Sequence, residues 1–328
     1  MSFERSNTAR DAFQAAHGHW RREVREAGVR LSNEKASQKT AFERLAPDFL
    51  SLYESFGRPS FEPCLVTSWK RKHDGLEREL LPVPPFSFLR GREISSTMFH
   101  RFEPDQLAAR LDYLHARLSA AEFADLAMED YAGDPPMSIP SLLSSHQHIH
   151  LLYLILRFFE SSACDAGRVR SVVEWGGGYG KMAALFWRLV PTRPTYVIID
   201  LPLMCCLQRL YLSSVLGEEN VHLLSGEGDR IAEGRVNLVP LALAERVDIA
   251  PPDIFAACFS LDECPRWLQE RVERRNWFGA EHLLLCYNIP KIWFPAATHF
   301  AAMAERAGAR RERRKWQGQP DEFIFAFR

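Results

Sequence analysis

The stretch Val172-Val173-Glu174-Trp175-Gly176-Gly177-Gly178-Tyr179-Gly180-Lys181 decides the fold. It reads as a short β-branched strand, a glycine-rich turn and the start of a helix. Glycines in such a turn permit positive φ and a close ligand approach, and the helix start offers free N–H groups. Spacing separates the ligands that use this device. A phosphate-binding P-loop needs G-x-x-x-x-G-K-[ST]. Here Trp175 stands five before Gly180 and Met182 follows Lys181, so the pattern fails twice. The dinucleotide pattern G-x-G-x-x-G fits Gly176 and Gly178 but meets Lys181 at its third glycine. The pattern that does fit is E-x-G-x-G-x-G, from Glu174 to Gly180.

Outward from this loop, short apolar runs alternate with helical stretches. Strands are expected at Ser171–Trp175, Thr195–Ile199, Val221–Leu224, Val236–Leu241, Ile254–Phe259 and His282–Tyr287, with helices at 180–190, 202–215, 262–275 and 296–307. Continuous apolar strands between helices imply a parallel sheet covered on both faces. Two more strand-like runs, Arg310–Trp316 and Glu322–Phe327, flank Gln317-Gly318-Gln319-Pro320 and predict a terminal hairpin. Upstream, helical periodicity is expected near 8–28, 36–56, 104–127 and 140–160. Between 57 and 103, Pro59, Pro63, Pro82, Pro84 and Pro85 suggest loops and short strands. Gly133-Asp134-Pro135-Pro136 breaks the chain before the next helix, with Pro140 in its first turn. The division is thus a mainly helical region, 1–165, and an α/β domain, 166–328.

Composition bounds the rest. The 328 residues are 46% hydrophobic and 25% charged, which excludes disordered and low-complexity classes. Lys and Arg number 41 against 42 Asp and Glu, so no chain-wide field favours nucleic acid. The basic run Arg310, Arg311, Arg313, Arg314 and Lys315 reads as a solvated strand or turn. Seven cysteines without C-x-x-C spacing indicate neither a disulfide framework nor a zinc site, and suit a reducing cytoplasm. The N-terminus lacks an apolar leader core, and the apolar stretch Ile149 to Phe159 is too short to span a bilayer.

Glu174 would end the first strand. Asp200 ends the second, 22 residues after Gly178, where a carboxylate can accept ribose hydroxyls. E-x-G-x-G-x-G is the first motif of S-adenosylmethionine-dependent methyltransferases. The loop, together with Ile199-Asp200-Leu201-Pro202, Gln208, Tyr211-Leu212, Asp253 and Phe259-Ser260-Leu261-Asp262-Glu263, resembles the sugar O-methyltransferases over about 140–328. It departs from them at Trp175, and at Cys264 where that family has Met.

The resemblance implies a Rossmann-like class I fold, a seven-stranded, mostly parallel sheet ending in an antiparallel hairpin. It implies S-adenosylmethionine as cofactor, with contacts at Glu174, Gly176, Gly177, Gly178, Tyr179, Gly180, Asp200 and Leu201, and at Val239, Pro240, Phe259 and Ser260 near the adenine or the transferring methyl. The implied partner is a small acceptor, a sugar, nucleotide-sugar or glycosylated metabolite. The helical region would cap the cofactor, select the acceptor and mediate a homodimer. A non-sugar acceptor at O or N is the alternative, and a non-catalytic binding module a further one.

A hydroxyl acceptor needs a general base. Asp262 and Glu263 follow a strand end, where ligands bind in open α/β sheets; they equally suit the first turn of the next helix. His146 and His150 share a helix face with Tyr153 and Arg157; they supply either a base or satisfied core groups. His146 and His150 have i, i+4 ligand spacing, and Asp262, Glu263 and Asn288 offer oxygens, but no complete metal-ligand set emerges. Trp69, Trp267, Trp277 and Trp293 fill core or stack on an acceptor, with Lys291 and Trp293 best placed for the latter.

Overall fold

The computed structural model describes residues 34–57, 62–99, 102–226, 228–289, 296–315 and 322–328. Eight strands form one sheet: β1 (Ser171–Trp175), β2 (Thr195–Asp200), β3 (Val221–Leu223), β4 (Val236–Pro240), β5 (Ile254–Cys258), β6 (His282–Asn288), β7 (Arg310–Lys315) and β8 (Glu322–Phe327). Their order is β3-β4-β2-β1-β5-β6-β8-β7. All neighbours up to β6 are parallel, and β8 pairs antiparallel with both β6 and β7. These are the eight strands expected from the sequence, one more than the seven-stranded sheet that the resemblance implies, with Val221–Leu223 at the outer edge of β4 in parallel register.

Alternation along each strand sends neighbouring residues to opposite faces. Val172, Tyr196, Ile198 and Leu238 join one apolar core; Val173, Val197, Ile199 and Val239 join the other. The first core is covered by α7 (His146–Ser162), α8 (Lys181–Leu189) and α9 (Pro202–Leu216), the second by α10 (Arg266–Arg274) and α11 (Ala297–Arg306). The basic run lies in β7, at the sheet edge, where charge discourages strand addition.

The helical region comprises α1 (34–45), α2 (Phe49–Phe56), α3 (Thr67–Leu80), α4 (Arg92–Met98), α5 (Pro104–His115) and α6 (Ala120–Leu126). Phe42, Phe49, Leu76, Phe88, Leu114 and Phe123 belong to the same core as Val172 and Ile198, so one apolar interior runs across position 165. The expected helix at 8–28 lies outside the described residues.

Three expectations need correction. Residues 57–103 carry two helices rather than loops and short strands: prolines bound α3 without entering it, and Trp69, His73, Leu76 and Leu80 give it a buried stripe at helical spacing. Gly75 admits α4 closely, since a Cβ there would lie 2.7 Å from the Glu93 side chain. The helix at 104–127 is split by Ser119, whose hydroxyl and Glu122 form a reciprocal cap on α6. Pro140 starts a separate 3-10 turn, and α7 begins at His146 under the Ser145 hydroxyl.

Candidate active site

The carboxyl ends of β1, β2 and β5 and the residue after β4 open into a cavity roofed by the helical region. From β1 come Glu174 and the turn Gly176-Gly177-Gly178-Tyr179; from β2, Asp200 and Leu201; from the β5 end, Phe259, Ser260 and Glu263. Leu241 follows β4. The roof supplies Leu65, Trp69, Thr97, Met98, Gln147 and Leu151.

The turn needs its glycines. Gly176, Gly178 and Gly180 have φ of +73°, +57° and +100°. A Cβ on Gly176 would overlap Ser260, and one on Gly177 would come within 2.7 Å of Ile198. Gln208 ties turn to acid: its amide donates to the Gly178 carbonyl and to Asp200 Oδ2, both at 2.8 Å. Phe259, at φ +53°, carries backbone strain of the kind found at ligand sites.

The cavity's electrostatics are one-sided. Glu174 is buried and accepts a hydrogen bond from the Tyr196 hydroxyl at 2.9 Å. Burial pushes its carboxyl up to about 8, with nearby Asp200 adding to the rise. Burial also pushes Asp200 up to about 7, against the Leu201 N–H at 2.7 Å and the Gln208 amide. At the far wall, burial and neighbouring Asp262 push Glu263 up to about 8, opposed by Lys72, Trp69 and Asn288. Trp69 Nε1 donates to Glu263 Oε2 at 2.8 Å, a bond from the helical roof to the sheet.

Lys181 is the sole basic side chain lining the cavity among the described residues, and its ammonium is already engaged. It pairs with Glu129 and, at 2.7 Å, with Asp130 Oδ2; Arg188 also pairs with Asp130. The Tyr211 hydroxyl donates to Asp130 at 3.1 Å, and His148 Nδ1 lies 3.2 Å from Glu129. Burial alone would raise these acids, but Lys181 and His148 hold Glu129 down at about 2, and Arg188 and Lys181 hold Asp130 well below the usual carboxylate range. Lys181 therefore has no free charge for a phosphate.

Of the residues expected at the site, Glu174, Gly176, Gly177, Gly178, Tyr179, Asp200, Leu201, Phe259, Ser260 and Glu263 line the cavity. Gly180 stands behind the turn as the cap of α8, and Val239 and Pro240 end β4 beneath the lining residue Leu241. Asp262 faces away: its Oδ2 accepts from the Asn288 backbone at 2.9 Å and side chain at 3.1 Å. With Glu263 it forms a 3-10 turn (Leu261–Glu263) that ends before Pro265 opens α10.

His146 and His150 are turned to α5. The Phe102 N–H donates to His146 Nδ1 at 2.6 Å, and the Phe102 ring lies 5.9 Å from His146 and 5.1 Å from His150. The helix face that reaches the cavity is one residue along, at Gln147 and Leu151. Asp253 sits at the opposite end of the sheet, accepting from the Arg170 and Ser171 N–H groups. Trp277 is core and Trp267 is largely exposed, while Lys291 and Trp293 lie outside the described residues.

Met98 and Gln147 were not anticipated, and Trp69 was expected as core or as a stacking face, not as a hydrogen-bond donor to Glu263. The spacing of Trp69 with His73 and Leu76 was the available signal, masked by the surrounding prolines. Nothing periodic pairs Lys181 with Glu129 and Asp130.

No family model and no curated protein matches the chain. Among solved structures, it is similar to mitomycin 7-O-methyltransferase MmcR, at 16% identity over 68% of this chain and 66% of that one, TM-score 0.38. An O-methyltransferase from Bacillus cereus in complex with SAH is 13% identical over 69% and 91%, TM-score 0.40. The O-methyltransferase TomG from Streptomyces achromogenes, in complex with SAM, is 13% identical over 69% and 98%, TM-score 0.41. The fold assignment rests on the strand order above.

Proposed function

We propose that the cavity binds S-adenosylmethionine and that the protein transfers its methyl group to a hydroxyl of a small acceptor. One observation carries this reading. Three carboxyls, Glu174 and Glu263 buried and Asp200 half-buried, line a cavity whose lysine is neutralised by other acids. Such a site disfavours the phosphates of ATP or NADH and favours a cation. S-adenosylmethionine carries an ammonium and a sulfonium beside a ribose. The fit extends to the backbone: Gly176 and Gly178 leave it bare for a close approach, and Asp200 is available to the ribose hydroxyls.

S-adenosylmethionine held there would supply an electrophilic methyl group on a sulfonium, a leaving group that takes the C–S electron pair as a neutral thioether. The chain supplies position, dryness and a base. Glu263 removes the acceptor's hydroxyl proton as the oxygen's electron pair forms the new C–O bond. A carboxyl near pH 8 is close to the working pH and so is an effective base. Trp69 and Asn288 hold it in place, donating at 2.8 Å and 3.3 Å. Asp262 anchors Asn288 and acts through it.

Thermal melting with S-adenosylmethionine or its demethylated product, beside ATP and NADH, tests the reading. Ligand at a hundred times its Kd stabilises by about 2.7 kcal/mol, a rise of several degrees. A rise with ATP or NADH alone would remove the proposal.

A further inference from the structure

The half of the cavity away from the glycine turn says what kind of acceptor enters. This step rests on the cofactor reading and concerns the opposite wall. That wall comes from the helical roof, where Leu65, Trp69 and Leu151 give it an apolar surface, while Met98 comes down beside Gly178 of the turn. Among the described residues its polar groups are few. The Trp69 N–H is spent on Glu263, and the Lys181 ammonium on Glu129 and Asp130. Thr97 and Gln147 remain, and the Gln147 Oε1 is buried with no hydrogen-bond partner among the described residues.

We propose that the acceptor is a mainly apolar, ring-bearing hydroxyl compound rather than a free sugar. Its ring lies against Leu65, Trp69 and Leu151, its reacting hydroxyl faces Glu263, and a further polar group meets Gln147. A pyranose presents hydroxyls around its whole rim, and each one stripped of water here without a partner weakens binding. An aromatic ring loses nothing polar on this wall and buries a large apolar area. The same counting gives the wall's sparse polar groups a role: with Thr97 also on it, the buried, unpartnered amide oxygen of Gln147 orients a ligand that otherwise binds by shape.

The test is calorimetric titration of protein saturated with S-adenosylhomocysteine, using 2-naphthol and methyl α-D-glucopyranoside as probes. The expected result is saturable 2-naphthol binding at least tenfold tighter than the glucoside. Leu151→Asn and Leu65→Asn, which add polarity to the wall, should each weaken 2-naphthol at least tenfold. S-adenosylhomocysteine binding by each variant certifies its fold, and the variant that retains it is the one read. Glucoside binding as tight as 2-naphthol, or no saturable 2-naphthol binding by protein that holds S-adenosylhomocysteine, would overturn the inference. Failure to bind S-adenosylhomocysteine at all removes the cofactor reading, and this inference with it.

Discussion

Replacing Trp69 by Phe should make Glu263 hold its proton more tightly. The indole N–H donates to Glu263 Oε2 at 2.8 Å, and Glu263 is only 9% exposed, so water can replace little of the lost bond. Burial and Asp262 already push the carboxyl up to about 8, with Trp69 among the groups that oppose them. A hydrogen bond to a charged group is worth roughly 1.5–3 kcal/mol. The protonated carboxyl also keeps part of that bond, so the lower end applies. Since about 1.4 kcal/mol is a tenfold change in equilibrium, the titration midpoint should rise by about one pH unit. At pH 7 the ionised fraction would fall from about a tenth to about a hundredth, and base-dependent turnover with it. The side-chain carboxyl 13C resonance of labelled protein, assigned by its loss in Glu263→Gln, reads the midpoint without any acceptor. A midpoint unchanged or lowered in Trp69→Phe would refute this account of the base.

Other outcomes follow from the same contacts. Lys181→Met leaves Glu129 and Asp130 buried with less compensation, and should cost about 3–5 kcal/mol in denaturant titrations. Gly176→Ala forces a Cβ into Ser260 at φ +73° and should abolish S-adenosylmethionine binding in equilibrium dialysis. His146→Ala removes a bond to the Phe102 N–H, and should lower the melting temperature while leaving cofactor affinity unchanged. The ligand-free protein should lose stability as pH rises from 5 to 8. Glu174, Asp200 and Glu263 bind protons more tightly folded than unfolded, so their contribution is complete below the ordinary carboxylate range and is lost as pH passes about 7 to 8. Denaturation midpoints at the two pH values check the sign.

The sheet was largely legible because its strands are short β-branched runs buried on both faces, and such runs announce themselves locally. The glycine turn and Asp200 were legible for a related reason: positive φ and a strand-end acid are properties of single positions. The roof was not. Helix α3 hides between Pro63 and Pro82, and its amphipathic stripe was outweighed by the punctuation around it. His146, His150 and Tyr153 share the α7 face that Phe102, beside α5, and Arg110, on it, meet, and the cavity receives Gln147 and Leu151 instead. Contacts such as Trp69 with Glu263, far apart in the chain, depend on how two elements dock and leave no periodic trace.

The central claim is that the buried acids of this cavity await a cationic adenosyl cofactor. Isothermal titration of S-adenosylmethionine into the protein at pH 7, in buffers of different ionisation enthalpy, measures affinity and protons released together. The account predicts one site per chain, proton release as Glu174 and Asp200 ionise beside the ligand, and no binding of ATP or NADH. Saturable binding of ATP or NADH with none of S-adenosylmethionine would contradict it.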